Sequence, residues 1–163
     1  MFAFAILCLP AVPHADPNAG VHAYERGDFA AAYRIWKPEA ENGNADLQFK
    51  LGVMNEWGMG VAPDYREAVK WYRRAAEQGH REAQFTLGFM YGSGQGVPQN
   101  DIHAYAWYEI AAANGHESAR EFRDATAKRL ERRQIDEALR LAQLLERQIH
   151  DKCAKSNEAK RNC

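Results

Sequence analysis

The sequence repeats itself at an offset of 36 residues. Laid over residues 80–115 without a gap, residues 44–79 give 14 identities in 36 positions. They include Gln48/Gln84, Phe49/Phe85, Leu51/Leu87, Gly52/Gly88 and Met54/Met90, then Gly60/Gly96, Val61/Val97, Trp71/Trp107 and Tyr72/Tyr108. Self-similarity at such a period marks a stack of small supersecondary units. No single unit can bury its hydrophobic face alone, so the units must pack on one another.

Each unit reads as two helices. In the first, Leu47, Leu51 and Met54 recur at i, i+4 and i+7, which is one face of a helix. Phe49 and Val53, with Phe85 and Phe89 one unit on, form a second apolar stripe. A helix with two such stripes packs on its own partner and on the neighbouring unit. Gly52 and Gly88 stand mid-helix at a cost of about 1 kcal/mol relative to Ala, so their recurrence predicts a close approach of helices there. The second helix starts at Asp64, where Asp64-Tyr-Arg-Glu67 forms a capping box, and Asn100 is the equivalent N-cap. Ala68, Trp71 and Ala75 form its buried face, and Gly79 or Gly115 ends it. His80 and His116 follow one period apart, as turn or first-turn residues.

Between the two helices lie GMGVAPD (58–64) and GQGVPQN (94–100). A Gly-x-Gly suggests a phosphate cradle, but such a loop follows a strand, and its Walker form needs a Lys. Here a helix precedes each loop, no Lys is placed to serve, and the element occurs twice. The loops read as tight reversals in which Val61 and Val97 tuck back between helices. The fold class is therefore all-α, a stack of antiparallel helix pairs.

The two units resemble the Sel1-like repeat family, relatives of the tetratricopeptide repeat. Residues 83–115 carry Ala83, Leu87, Gly88, Tyr91, Gly94, Gly96, Val97, Ala104, Trp107, Tyr108, Ala111, Ala112 and Gly115 at the family's positions, with Asn100 in place of Asp. Residues 47–79 match almost as well, with Leu47 for Ala and Asn55 for Tyr. Trp57 is expected to supply some of the missing aromatic volume. The resemblance implies an α-α superhelix, a right-handed solenoid of antiparallel helix pairs, that binds a protein or peptide on its concave surface, as an adaptor without catalytic chemistry. Some cysteine-rich members carry a disulfide in each repeat; these repeats contain no Cys.

The flanks divide as follows. Residues 1–15, MFAFAILCLPAVPHA, are apolar, too short to span a bilayer, and read as a secretory signal peptide lacking a basic start. Residues 19–43 form a divergent helix pair with Asp28, Ala32, Trp36, Ala40 and Gly43 near second-helix positions. Residues 116–150 read as a polar capping pair without the Gly-x-Gly-Val loop, and 151–163 as a polar tail. If Cys8 leaves with the signal, Cys153 and Cys163 remain, and an even pair in an oxidising compartment suggests a disulfide. Two unpaired thiols are the alternative. Localisation follows as periplasmic or secreted.

The net charge of −1 gives no global pull toward nucleic acid or membrane. Up to residue 119 there are 9 Lys/Arg against 14 Asp/Glu, and beyond it 12 against 8. The basic stretch Lys128-Arg129 and Arg132-Arg133 offers a weak contact for an anionic surface. No nucleophile elbow or zinc-protease motif occurs. Glu56, Glu67, Glu77 and Glu109 show no pairing, and no metal or cofactor is expected. An envelope hydrolase, or an accessory subunit of one, is the alternative to the adaptor. Ligand contacts are expected from first-helix residues that point away from the packing stripes: Gln48, Lys50, Glu56, Trp57, Gln84 and Thr86.

Overall fold

The structure is a computed structural model that describes residues 18–161, with side-chain surroundings described through Lys155. The described residues form eight helices and no strand: α1 (Ala19–Glu25), α2 (Phe29–Glu41), α3 (Ala45–Trp57), α4 (Tyr65–Ala76), α5 (Arg81–Ser93), α6 (Asp101–Ala113), α7 (Ala119–Ala127) and α8 (Arg132–Arg161). From α1 to α7 each helix packs on the next, so the helices form a solenoid of antiparallel hairpins.

The N-caps set the period. Asp28, Asp64 and Asn100 stand 36 residues apart, and each side-chain oxygen accepts a first-turn amide, from Ala31, from Arg66 and Glu67, and from His103. His80 caps α5 through Nδ1, which accepts from Ala83 N at 3.2 Å. A buried aromatic follows in the same register: Trp36, Tyr72 and Tyr108. Each ring lies against a glycine of the preceding first helix. A Cβ on Gly52 would stand 2.5 Å from Tyr72 Cδ1 and Cε1, and one on Gly88 2.8 Å from the same atoms of Tyr108. Close approach is thus the reason for these glycines, and the approaching group is an aromatic ring.

The Gly-x-Gly-Val loops join unit to unit. Gly60 and Gly96 have φ of +74° and +72°, a region most L-residues avoid. A Cβ at Gly60 would fall on the Phe29–Ala30 backbone, and one at Gly96 on the Tyr65–Arg66 backbone. Each loop therefore seats on the first turn of the previous unit's second helix.

The last two helices depart from this pattern. α7 has 9 residues against 13 in α3 and α5, and α8 packs chiefly on α6 instead of on α7. Its inner stripe, Ala138, Ala142, Ile149 and Cys153, turns toward the solenoid, where Ala142 and Ile149 join the core of α4, α5 and α6. The helix does not stop near 150. Lys152 pairs with Glu77 and Cys153 rests on Gln78, so contacts with the end of α4 carry the helix on through Arg161.

Candidate ligand-binding face

The structure separates the six ligand-contact residues expected from the sequence into two groups. Gln48 and Gln84 are buried and belong to the packing. Gln48 Nε2 donates to the Ala40 carbonyl at 2.8 Å, and its Oε1 accepts from Gln78 Nε2 at 2.6 Å. One unit on, Gln84 donates to Ala76 O at 3.1 Å and accepts from Asn114 Nδ2 at 2.8 Å. These amides add a side-chain bond to carbonyls at the ends of the preceding second helices, each of which also accepts a backbone amide, from Gly43 and from Gly79. Glu56 is likewise engaged, accepting a 2.6 Å bond from the Tyr72 hydroxyl. Burial first, and that bond second, push the Tyr72 hydroxyl far above the ordinary phenol range.

Lys50 and Trp57 are free of such duties. Lys50, Val53 and Trp57 lie at i, i+3 and i+7 on α3, which places them on one stripe. Trp57 is 72% exposed. It therefore leaves unfilled the volume expected of it at Asn55, whose buried amide instead donates to Leu51 O at 2.7 Å and Tyr33 OH at 3.3 Å. The Lys50 ammonium stands 5.0 Å from the Trp36 ring centroid, within cation–π reach. Beside it opens a cleft of about 480 Å³ lined by Val21, Tyr24, Trp36, Phe49, Lys50 and Val53. Thr86 is half-buried, and its hydroxyl donates to the Glu82 carbonyl at 2.8 Å.

Several residues of this face escape the sequence argument. Phe89, expected in the core, is 41% exposed. The aromatic of α7, Phe122, covers Phe85 at 5.0 Å between centroids, and α7 is a short helix. Val21 and Tyr24 of α1 are exposed too. Trp36, placed at a second-helix position from the sequence, is the 36-residue equivalent of Tyr72 and lines the cleft. Phe49 and Phe85, by contrast, each stack on a period-related histidine, His80 at 4.7 Å and His116 at 4.1 Å.

The four glutamates without evident partners in the sequence all have them in the fold: Glu56 with Tyr72, Glu67 with Lys70, Glu77 with Lys152 and Glu109 with Arg123. Ser93 Oγ donates to the Phe89 carbonyl at 2.9 Å and ends α5. Among the described residues no three His, Cys, Asp or Glu side chains gather as a metal site. Arg129 of the basic stretch forks onto Asp101 at 2.6 and 2.9 Å. Cys153 is half-buried with Sγ 3.7 Å from Gln78 O, while Cys163, its expected disulfide partner, lies outside the described residues, as do residues 1–15. No helix of the described residues is long and apolar enough to cross a membrane.

The Sel1 repeat profile matches residues 45–80 and 81–116. The chain carries two Sel1 repeats. Among solved structures it is similar to a protective antigen of uropathogenic Escherichia coli strains that displays the SLR (Sel1-like repeat) fold. That match has 31% identity and a TM-score of 0.75, and covers 86% of this chain and 31% of the antigen. A Sel1 repeat protein from Oxalobacter formigenes matches at 30% identity and a TM-score of 0.61, over 66% of this chain and 44% of that one. The chain thus spans well under two thirds of either relative. Helicobacter pylori cysteine rich protein B, at 22% identity and a TM-score of 0.54, covers 63% of this chain and 87% of its own length and shares the fold. A comparison with curated proteins gives no match. The Sel1 repeats and these neighbours establish a helical solenoid of a class that generally scaffolds protein–protein interactions.

Proposed function

We propose that the chain is a non-enzymatic adaptor that holds a protein or peptide segment on its first-helix face, with α1 and α3 forming the grip. The observation that carries this reading is the split among repeat-equivalent side chains. Gln48, Gln84 and Glu56 are consumed by the fold, whereas Lys50, Val53 and Trp57 are left as one stripe beside an apolar cleft. A large exposed indole, one helical turn from the cleft-lining Val53, is the kind of residue that dominates binding energy at protein interfaces. Trp36 and Phe49 supply an apolar floor, and Lys50 supplies a cation at its rim. On this reading the first-helix face is the concave surface that the family resemblance implies.

Residues 1–15 are read as an export signal, which places the mature chain in the bacterial envelope or the secreted fraction. The intact mass of protein exported by its source cells tests that step. A mass that retains residues 1–15 overturns it.

The binding reading is tested by cross-linked capture from envelope extract, with residues 16–163 as bait and a Lys50→Ala/Trp57→Ala double variant as control. A captured protein, then produced alone, should bind the native bait at least about tenfold more tightly than the control, about 1.4 kcal/mol. Equal affinity for both baits removes the first-helix face from the account.

A further inference from the structure

A second groove runs along the opposite row of helices, the second helices. It is about 470 Å³ and lies between α4 and the Gly96–Val97 loop, with Val69 in its floor. Four cations stand on its α4 wall at i, i+4, i+7 and i+8: Arg66, Lys70, Arg73 and Arg74, all exposed. Three carboxylates lie near them and all are engaged, Asp64 by the Arg66 and Glu67 amides that it caps, Glu67 by Lys70 at 2.7 Å and Glu77 by Lys152 of α8. Arg73 is held in place by a 2.7 Å bond to Tyr91 OH, and Arg74 lies 4.7 Å over the Trp71 ring. Arg66 forms no ion pair among the described residues. In a chain of net charge −1, this is a local concentration of positive charge.

The repeat shows what such a groove holds. One unit on, the positions of Arg66, Lys70 and Arg74 are Ile102, Ala106 and Ile110. There the groove is closed by a helix. Ala106 and Ile110 are fully buried in the cluster that contains Ala142, Leu141 and Leu145 of α8, and Ile102 faces Leu141 and Leu144. The same second-helix surface is thus apolar where the chain's own helix covers it, and cationic where none of the described residues does.

We propose that the α4 groove is an interaction surface for an acidic amphipathic helix of a partner protein. Such a helix would lie on α4 as α8 lies on α6, with aliphatic side chains on Val69 and Val97 and carboxylates along Arg66, Lys70, Arg73 and Arg74. This surface is separate from the first-helix face, and neither proposal depends on the other.

The test uses the full chain and two fluorescein-labelled 20-residue peptides with leucines at i, i+3, i+4 and i+7, one filled with glutamate and the other with lysine. Fluorescence anisotropy should show the glutamate peptide bound and the lysine peptide at least about tenfold weaker, with affinity falling as salt rises. Arg66→Glu combined with Lys70→Gln should weaken the glutamate peptide by about tenfold or more. Both residues are exposed, and an unchanged thermal melt confirms that the variant folds. The Lys50→Ala/Trp57→Ala variant should bind it normally. Equal binding of both peptides overturns the proposal. So does an unaffected Arg66/Lys70 variant, or loss of binding in the Lys50/Trp57 variant. Phosphatidylglycerol vesicles that bind through Arg66 while the glutamate peptide does not would overturn it in favour of a membrane surface.

Discussion

Gly52 and Gly92 sit in first helices of successive units, and adding a methyl group to each has opposite consequences. At Gly52 the new Cβ meets the buried Tyr72 ring at 2.5 Å, and that ring cannot swing aside without losing its hydroxyl bond to Glu56. Overpacking of this kind costs about 1–3 kcal/mol, more than the roughly 1 kcal/mol of helix propensity that Ala gains over Gly. At Gly92 the nearest atom, Ala104 Cβ, is 3.6 Å away, an ordinary contact. Gly52→Ala should therefore lower the urea midpoint and Gly92→Ala should raise it. A rise at both positions would show that the ring contact does not govern Gly52. The sequence displayed both Gly52 and Gln48 as repeated residues, but it disclosed only the first role. A mid-helix glycine has few explanations. A glutamine between two apolar stripes looks like surface until the carbonyl it reaches, eight residues back on another helix, is in view.

Among the elements, α8 was the least legible. Its length is not encoded by the repeat, because the contacts that extend it past residue 150 come from Glu77 and Gln78, 75 residues away. The two central units were read well because each cap, ring and loop is stated twice at the same spacing. Where α8 first meets α6, His103 stacks on Tyr91 at 4.9 Å and shares a cleft with Glu137 and Arg140. Burial, and then the nearby Arg73 charge, hold its imidazole below the ordinary value, with Glu137 opposing. The unfolded chain takes up this proton near pH 6.5, and the folded chain takes it up only at lower pH. Unfolding therefore binds a proton between those two values. The stability this group contributes is present above about pH 6.5 and is lost as pH falls below it toward the depressed value. His103→Gln should flatten the loss of stability between pH 7 and pH 5 in urea titrations. An unchanged slope would mean that His103 is not its source.

At the scale of the whole molecule, a solenoid is a chain of nearest-neighbour contacts, and its stability is close to a sum of unit and interface terms. This one departs from that rule at one place. α8 leaves the line of hairpins and lies back across α6 to the end of α4, so one helix ties two units that already touch through α5. Removing it should do more than delete one interface. A chain ending at Leu130 exposes Ala106 and Ile110, both fully buried in the intact fold, and frees the end of α4 from Lys152 and Cys153. Hydrogen exchange should then show the largest loss of protection in α6 and the C-terminal turn of α4. The smallest loss should fall in α1 and α2, which share no core cluster with α8. Unfolding should also begin at lower denaturant and spread over a wider range, because α4–α6 would no longer be held to one transition. If protection falls evenly from α1 to α6, the strap is not the source of the coupling. Cooperativity would then reside in the Gly-x-Gly-Val loops that seat each unit on the helix before it.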